Sequence, residues 1–126
     1  MSALRRPLRT LAIAFAIAVL AACTRHASVD WAALRATIGD EPVVLLSASW
    51  CGYCRKLRTD LKRWGVHYRE YDVENDDAGV RAFAQLRGGG VPILLVGEQR
   101  FDGYVPNQIH TSLRKAGIVP ATSRAD

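Results

Sequence analysis

Two short runs constrain this chain's fold more than anything else in it: Val43-Val44-Leu45-Leu46 and Ile93-Leu94-Leu95-Val96, neither broken by a polar residue. A strand with one wet face alternates apolar and polar positions. A strand apolar at every position must be covered on both faces. Helical spacing surrounds and separates the two runs. Together these patterns predict an α/β protein with a mixed sheet between helical layers.

The remaining elements fall into place around that sheet. Asp30 can cap a helix that carries Trp31, Leu34 and Ile38 on one face and stops at Gly39. Leu57, Leu61 and Trp64 repeat at helical spacing until Gly65, and both Trp31 and Trp64 are expected to pack in the core. Residues 66–73 (VHYREYDV) are rich in β-formers and predict a strand. Asn75, Asp76 and Asp77 offer caps for a helix with Val80, Phe83 and Leu86 facing inward, ended by Gly88-Gly89-Gly90. Gly97-Glu98 turns the second apolar run into a strand over 99–104, forming a hairpin. Pro106-Asn107 opens a last helix with Ile109, Leu113 and Ala116 inward, stopped by Gly117. The element order is therefore α-βα-βα-ββ-α, with no internal repeat.

The first segment reads as an address. Arg5, Arg6 and Arg9 precede an apolar stretch from Leu11 to Ala22, shorter than the roughly 20 residues a spanning helix needs. This is a secretory signal layout. Its end, Leu20-Ala21-Ala22-Cys23, resembles the lipobox of bacterial lipoproteins, in which the cysteine is acylated and becomes the first mature residue. The expected division is a signal peptide over 1–22, a tether over 23–29 bearing lipidated Cys23, a domain over 30–119 and a polar tail over 120–126. Thr24 is not the Asp that the family's sorting rule associates with inner-membrane retention. The expectation is thus an outer-membrane anchor facing the periplasm of a Gram-negative cell. The whole chain carries 17 Lys+Arg against 12 Asp+Glu. Removing the leader leaves 14 against 12, a balance of +2. No basic run with interleaved aromatics remains, so nucleic acid is not an expected partner.

The other two cysteines carry the chemistry. Cys51-Gly52-Tyr53-Cys54 falls where the first buried run ends and a helix begins. The free N–H groups and positive dipole end of that helix favour the thiolate of Cys51, the species that attacks disulfides. Cys54, one turn on, could resolve a mixed disulfide, and Arg55 and Lys56 add positive charge. The spacing alone also permits a structural bridge or half a metal site. His67 and His110 are the available extra ligands, and neither stands in a ligand-spaced pair. Both are expected to be surface or strand histidines, and no metal is expected. Arg55, Lys56 and Arg58 read as a solvated helix face, and Asp102 as a turn residue.

Trp50-Cys51-Gly52-Tyr53-Cys54, Gly90-Val91-Pro92 and Phe101-Asp102-Gly103-Tyr104 together resemble the thioredoxin superfamily, and its glutaredoxin branch most closely, over about residues 43–117. The resemblance implies a thioredoxin-like fold: a central mixed four-stranded sheet flanked by helices, here with an extra N-terminal helix. It implies that Pro92 is cis, faces the cysteines and keeps metal from them. It further implies that Val91 offers its backbone to a substrate strand or a glutathione-like peptide. Val91 and Pro92 are the substrate contacts the resemblance implies. Trp50 reads either as a recognition surface beside Cys51 or as partly packed in the core. Tyr53 is expected to be exposed beside Cys54 as a substrate contact, and Gly103 is a further candidate contact. Leu45 stands where thioredoxins carry a buried Asp, and Ala48 where glutaredoxins often carry Lys. Protein disulfides or thiols are accordingly the leading substrates, glutathione is the weaker expectation, and no cofactor beyond the Cys51–Cys54 pair is expected. The activity so read is that of a membrane-tethered thiol–disulfide oxidoreductase with an unidentified redox partner. A lipoprotein binding module and an envelope metal-delivery protein are the alternatives.

Overall fold

The computed structural model describes residues 28–120 of the 126-residue chain. The proposed leader, Cys23, most of the tether and the end of the tail lie outside the described residues. Within them the order is α1 (Trp31–Ile38), β1 (Val43–Ser47), α2 (Gly52–Arg63), β2 (Arg69–Asp72), α3 (Asp77–Gln85), β3 (Ile93–Val96), β4 (Gln99–Asp102) and α4 (Pro106–Lys115).

The sheet runs β2-β1-β3-β4, with the two apolar runs in its middle. β1 pairs parallel with β2, placing Val44 opposite Arg69, and antiparallel with β3, placing Val43 opposite Val96. β4 closes the hairpin against β3, with Ile93 opposite Asp102. Side chains alternate across the sheet. Val43, Leu45, Leu94 and Val96 meet Leu57 and Leu61 of α2 and Ile109 and Leu113 of α4. Val44, Leu46, Ile93 and Leu95 meet Leu34 and Ile38 of α1 and Ala82 and Leu86 beneath α3. Every residue of both runs is buried, as a central strand between two helical layers requires.

Local chemistry sets the helix ends. The Asp30 carboxylate accepts from the Ala33 N–H at 3.0 Å, and Gly39 ends α1 with φ 78°. Of the three cap candidates before α3, Asp76 does the work, accepting from the Ala78 N–H at 3.0 Å. Arg35 donates to the carbonyls of Glu41 at 2.8 Å and Gly97 at 2.6 Å, fastening α1 to the start of β1 and to the β3–β4 turn.

Four expectations are corrected. The strand expected over 66–73 is only Arg69–Asp72, because the Val66 N–H is still closing α2 on the Leu61 carbonyl at 2.9 Å. β4 ends at Asp102 instead of 104, since Gly103 turns away with φ 79°. Val80 is 45% exposed. The inward face of α3 is Gly79, Ala82 and Leu86, because Gly79 lies on the backbone of Asp72, where a side chain would collide. Ala116 is exposed as well. α4 ends one residue earlier, and Gly117 (φ 71°) brings Val119 back to cover the core instead.

Candidate functional site

The chain leaves the C-terminal end of β1 through Ala48-Ser49-Trp50 and enters α2 at Cys51. Cys51 is the N-cap, with extended backbone (φ −76°, ψ 111°). Its Sγ accepts from the Cys54 N–H at 3.1 Å, so the sulfur occupies the anion position of a helix start. Cys51 and Cys54 form a disulfide with Cα atoms 5.2 Å apart. Both are buried, in a small cluster with Ala48 and partly covered by Val73 and Val91.

The second wall comes from the turn before β3. The Val91–Pro92 peptide bond is cis, as the resemblance implied, and the Val91 carbonyl oxygen lies 3.7 Å from Cys51 Sγ. The Pro92 carbonyl accepts from the Gly103 N–H at 2.8 Å. That contact ties the exit of β4 to the cysteine-facing turn, and its positive φ explains the glycine. Val91, Pro92 and Gly103 are therefore contiguous, with Val91 next to Cys51.

Trp50 and Tyr53 flank the pair on the outside, 66% and 57% exposed. The Trp50 indole N–H donates to the Glu74 carboxylate at 3.0 Å, fixing an apolar ring in solvent beside Cys51. Tyr53 stacks on Tyr104 with ring centroids 5.8 Å apart, and Lys56 Nζ lies 5.2 Å and 5.9 Å from the two centroids.

Arg58 departs from the solvated face expected of it. It pairs with Glu70 at 2.7 Å and donates to Ser47 Oγ at 3.2 Å, linking α2 to β1 and β2. The histidines separate: His67 is exposed, whereas His110 is buried in α4 against Trp64, ring centroids 4.9 Å apart, and is no surface or strand residue. The inward turn of α4 carries it there. Among the described residues no group of three or more His, Cys, Asp or Glu side chains is placed to hold a metal ion. Asp102 pairs with Arg100 at 2.7 Å at the end of β4.

Sequence reasoning passed over Asp60, Glu74 and Tyr104 as parts of the site. Asp60 lies three residues after Leu57 and one before Leu61, a spacing that places it on the inward face of α2. Its Oδ2 accepts from the Tyr104 hydroxyl at 2.7 Å and its Oδ1 from Arg63 at 2.9 Å. The Tyr104 phenol is thereby raised above its ordinary titration range, chiefly by that hydrogen bond and then by burial.

The glutaredoxin family model matches residues 43–101. Two curated Mycobacterium tuberculosis proteins bearing the glutaredoxin name are 34% identical over 47 residues, which is 37% of this chain and 56% of theirs. The chain thus spans about half the length of those relatives. Among solved structures, the holo form of glutaredoxin C1 from Populus tremula x tremuloides superimposes with TM-score 0.54 at 25% identity, covering 75% of this chain and 96% of that one. The buckwheat glutaredoxin–glutathione complex gives 0.56 at 20% identity over 75% of this chain and 97% of that one. Glutaredoxin from Archaeoglobus fulgidus gives 0.54 at 20% identity over 63% and 92%. The fold is thioredoxin-like. Within it, Cys51–Cys54 is a glutaredoxin-like CxxC disulfide at the start of a helix, facing a cis-proline turn.

Proposed function

We propose that the protein is a thiol–disulfide oxidoreductase in which Cys51 attacks and Cys54 resolves. The observation that carries this reading is the position of Cys51 Sγ: it caps α2, accepts the Cys54 N–H and faces the Val91 carbonyl. In the reduced protein the Cys54 N–H and the helix dipole favour the sulfur as thiolate. The Cys51 thiolate attacks one sulfur of a substrate disulfide, forming a mixed disulfide and releasing the other sulfur as thiolate. Cys54 then attacks Cys51 Sγ, releasing the second substrate thiolate and leaving the 51–54 disulfide. Two electrons pass to the substrate; the reverse sequence delivers the disulfide to a reduced partner.

Protein disulfides are the leading substrates and glutathione the second. Val91 presents backbone at the sulfur, while exposed Trp50 and Tyr53 offer apolar surface to a polypeptide on either side. Reduced protein mixed with a disulfide-bridged peptide should release peptide thiols stoichiometrically with formation of the 51–54 disulfide. Cys51→Ser should release none. Full exchange by Cys51→Ser would defeat the mechanism, and peptide capture without exchange by either form would favour a binding module.

The leader pattern supports a place in the bacterial envelope, with Cys23 acylated and the domain facing the periplasm, the outer membrane preferred from Thr24. Its redox partner is then a periplasmic thiol or disulfide protein. Mass spectrometry of the mature N-terminus should find a lipid-modified Cys23. An unmodified or uncleaved chain would contradict this.

A further inference from the structure

Asp60 is a costly choice for its position. A carboxylate 7% exposed on the face between Leu57 and Leu61 loses hydration that packing cannot return. Both its oxygens are used, one by Arg63 on the same helix and one by the Tyr104 hydroxyl, 44 residues away. Tyr104 follows Gly103 in the short irregular link between β4 and α4, where no ladder fixes it. Its ring packs partly against the α2/α4 core, and the bond from its hydroxyl to Asp60 fixes its polar end. That ring lies against Tyr53, between the two cysteines, with Lys56 beside both rings. The same link hangs from the cysteine-facing turn through Gly103 and Pro92.

We propose that Asp60 is a positioning residue for substrate specificity: by holding the Tyr104 hydroxyl it locks Tyr104 against Tyr53, and the two rings form a ledge that receives polypeptide flanking the target disulfide. This rests on the oxidoreductase reading above. The ledge borders an open groove lined by Gly52, Tyr53, Arg55, Lys56 and Thr59, so a chain leaving Cys51 over Tyr53 runs between aromatic and cationic side chains. Two flat rings held together offer contact area without freezing rotamers on binding. Untethered, Tyr104 would keep its core contact but lose the bond that fixes its hydroxyl end. The same bond raises the titration of the Tyr104 phenol.

The test uses two disulfides: an acetylated, amidated peptide with an internal cystine bridge, and bis(2-hydroxyethyl) disulfide, which has no flanking chain. Tyr104→Phe keeps the ring and loses the tether. It should raise KM for the peptide about five- to tenfold, the worth of one hydrogen bond, a loss well beyond any change on the small disulfide. Asp60→Ala should match it and add nothing in the Tyr104→Phe background, and Asp60→Asn, which keeps an acceptor oxygen, should restore part of the loss. Independently of activity, the tyrosinate absorbance of Tyr104 should appear at lower pH in Asp60→Asn than in wild type, with Arg63 and Lys56 left in place. Equal loss on both disulfides, additive effects of Asp60→Ala and Tyr104→Phe, or an unmoved tyrosinate midpoint would each overturn the proposal. Wild-type protein inactive on both probes would instead defeat the oxidoreductase reading, and with it the ledge's role, while a shifted midpoint would still register the tether.

Discussion

On the α1/α3 side of the sheet, the core consists of Leu34, Ile38, Val44, Leu46, Ala82, Leu86, Ile93 and Leu95, without a polar member. On the α2/α4 side, Asp60, His110 and Ser112 are buried among Leu57, Leu61, Ile109 and Leu113. Ser47, at the end of β1, bonds to Arg58 of α2 and to Glu70. Each polar group on this second side reaches across elements: Asp60 to Tyr104, Ser112 to Gln99, His110 to Trp64. The buried side chains of the first face contribute area, which is insensitive to direction, with hydrogen bonds from Arg35, Tyr71 and Gln85 at its edges. The other buries an apolar core as well and adds directional contacts, of which Asp60–Tyr104 and Arg58–Ser47 involve α2. Substitutions in the first face are therefore expected to change stability with little change in the geometry around Cys51.

The strongest test of that separation lies in the purely apolar face. Leu34→Ala removes a fully buried side chain and should cost about 2–5 kcal/mol in urea unfolding. The exchange rate per folded molecule should not change; a parallel fall in rate would mean that this face also aims the site. Next in size is Gly79→Ala, whose methyl group meets the Asp72 backbone carbonyl, an atom that cannot swing aside. A loss of about 1–3 kcal/mol is expected, with KM for peptide disulfides untouched. Asp30→Ala removes the α1 cap and should cost about 1 kcal/mol, again visible only in unfolding. The smallest effect belongs to Asp72, whose carboxyl is held below the ordinary range first by the Glu74 N–H and then by the Asn75 side chain. A depressed carboxylate contributes stability above its unfolded value and loses it as pH falls through the folded one. The Tm advantage of wild type over Asp72→Asn should therefore be present at neutral pH and fade below about pH 4. An advantage constant across that range would assign the effect to shape instead of charge.

The same contrast explains what could be read without the fold. β1 and β3 were legible because burial on both faces leaves an unbroken apolar run. Cys51 and Cys54 were legible because a strand end and helix start lie within a few residues of each other. Val80 misled because apolar spacing marks a face without saying which face can approach the sheet; Gly79 decides that by having no side chain. The strand over 66–73 was overextended because β-forming composition cannot reveal that the Val66 N–H is already spent on α2. Asp60 was passed over for a related reason. An acid within a helix reads as solvated until its partner, far along the chain, is placed beside it.

The central claim is that the start of α2 makes Cys51 the reactive sulfur. Reduced protein should be alkylated with iodoacetamide across a pH series, with the modified cysteine located by mass spectrometry. The account predicts that Cys51 reacts first and that its rate falls away only well below about pH 8.5, the value of an unperturbed thiol. Alkylation beginning at Cys54, or a Cys51 midpoint at or above that value, would contradict it.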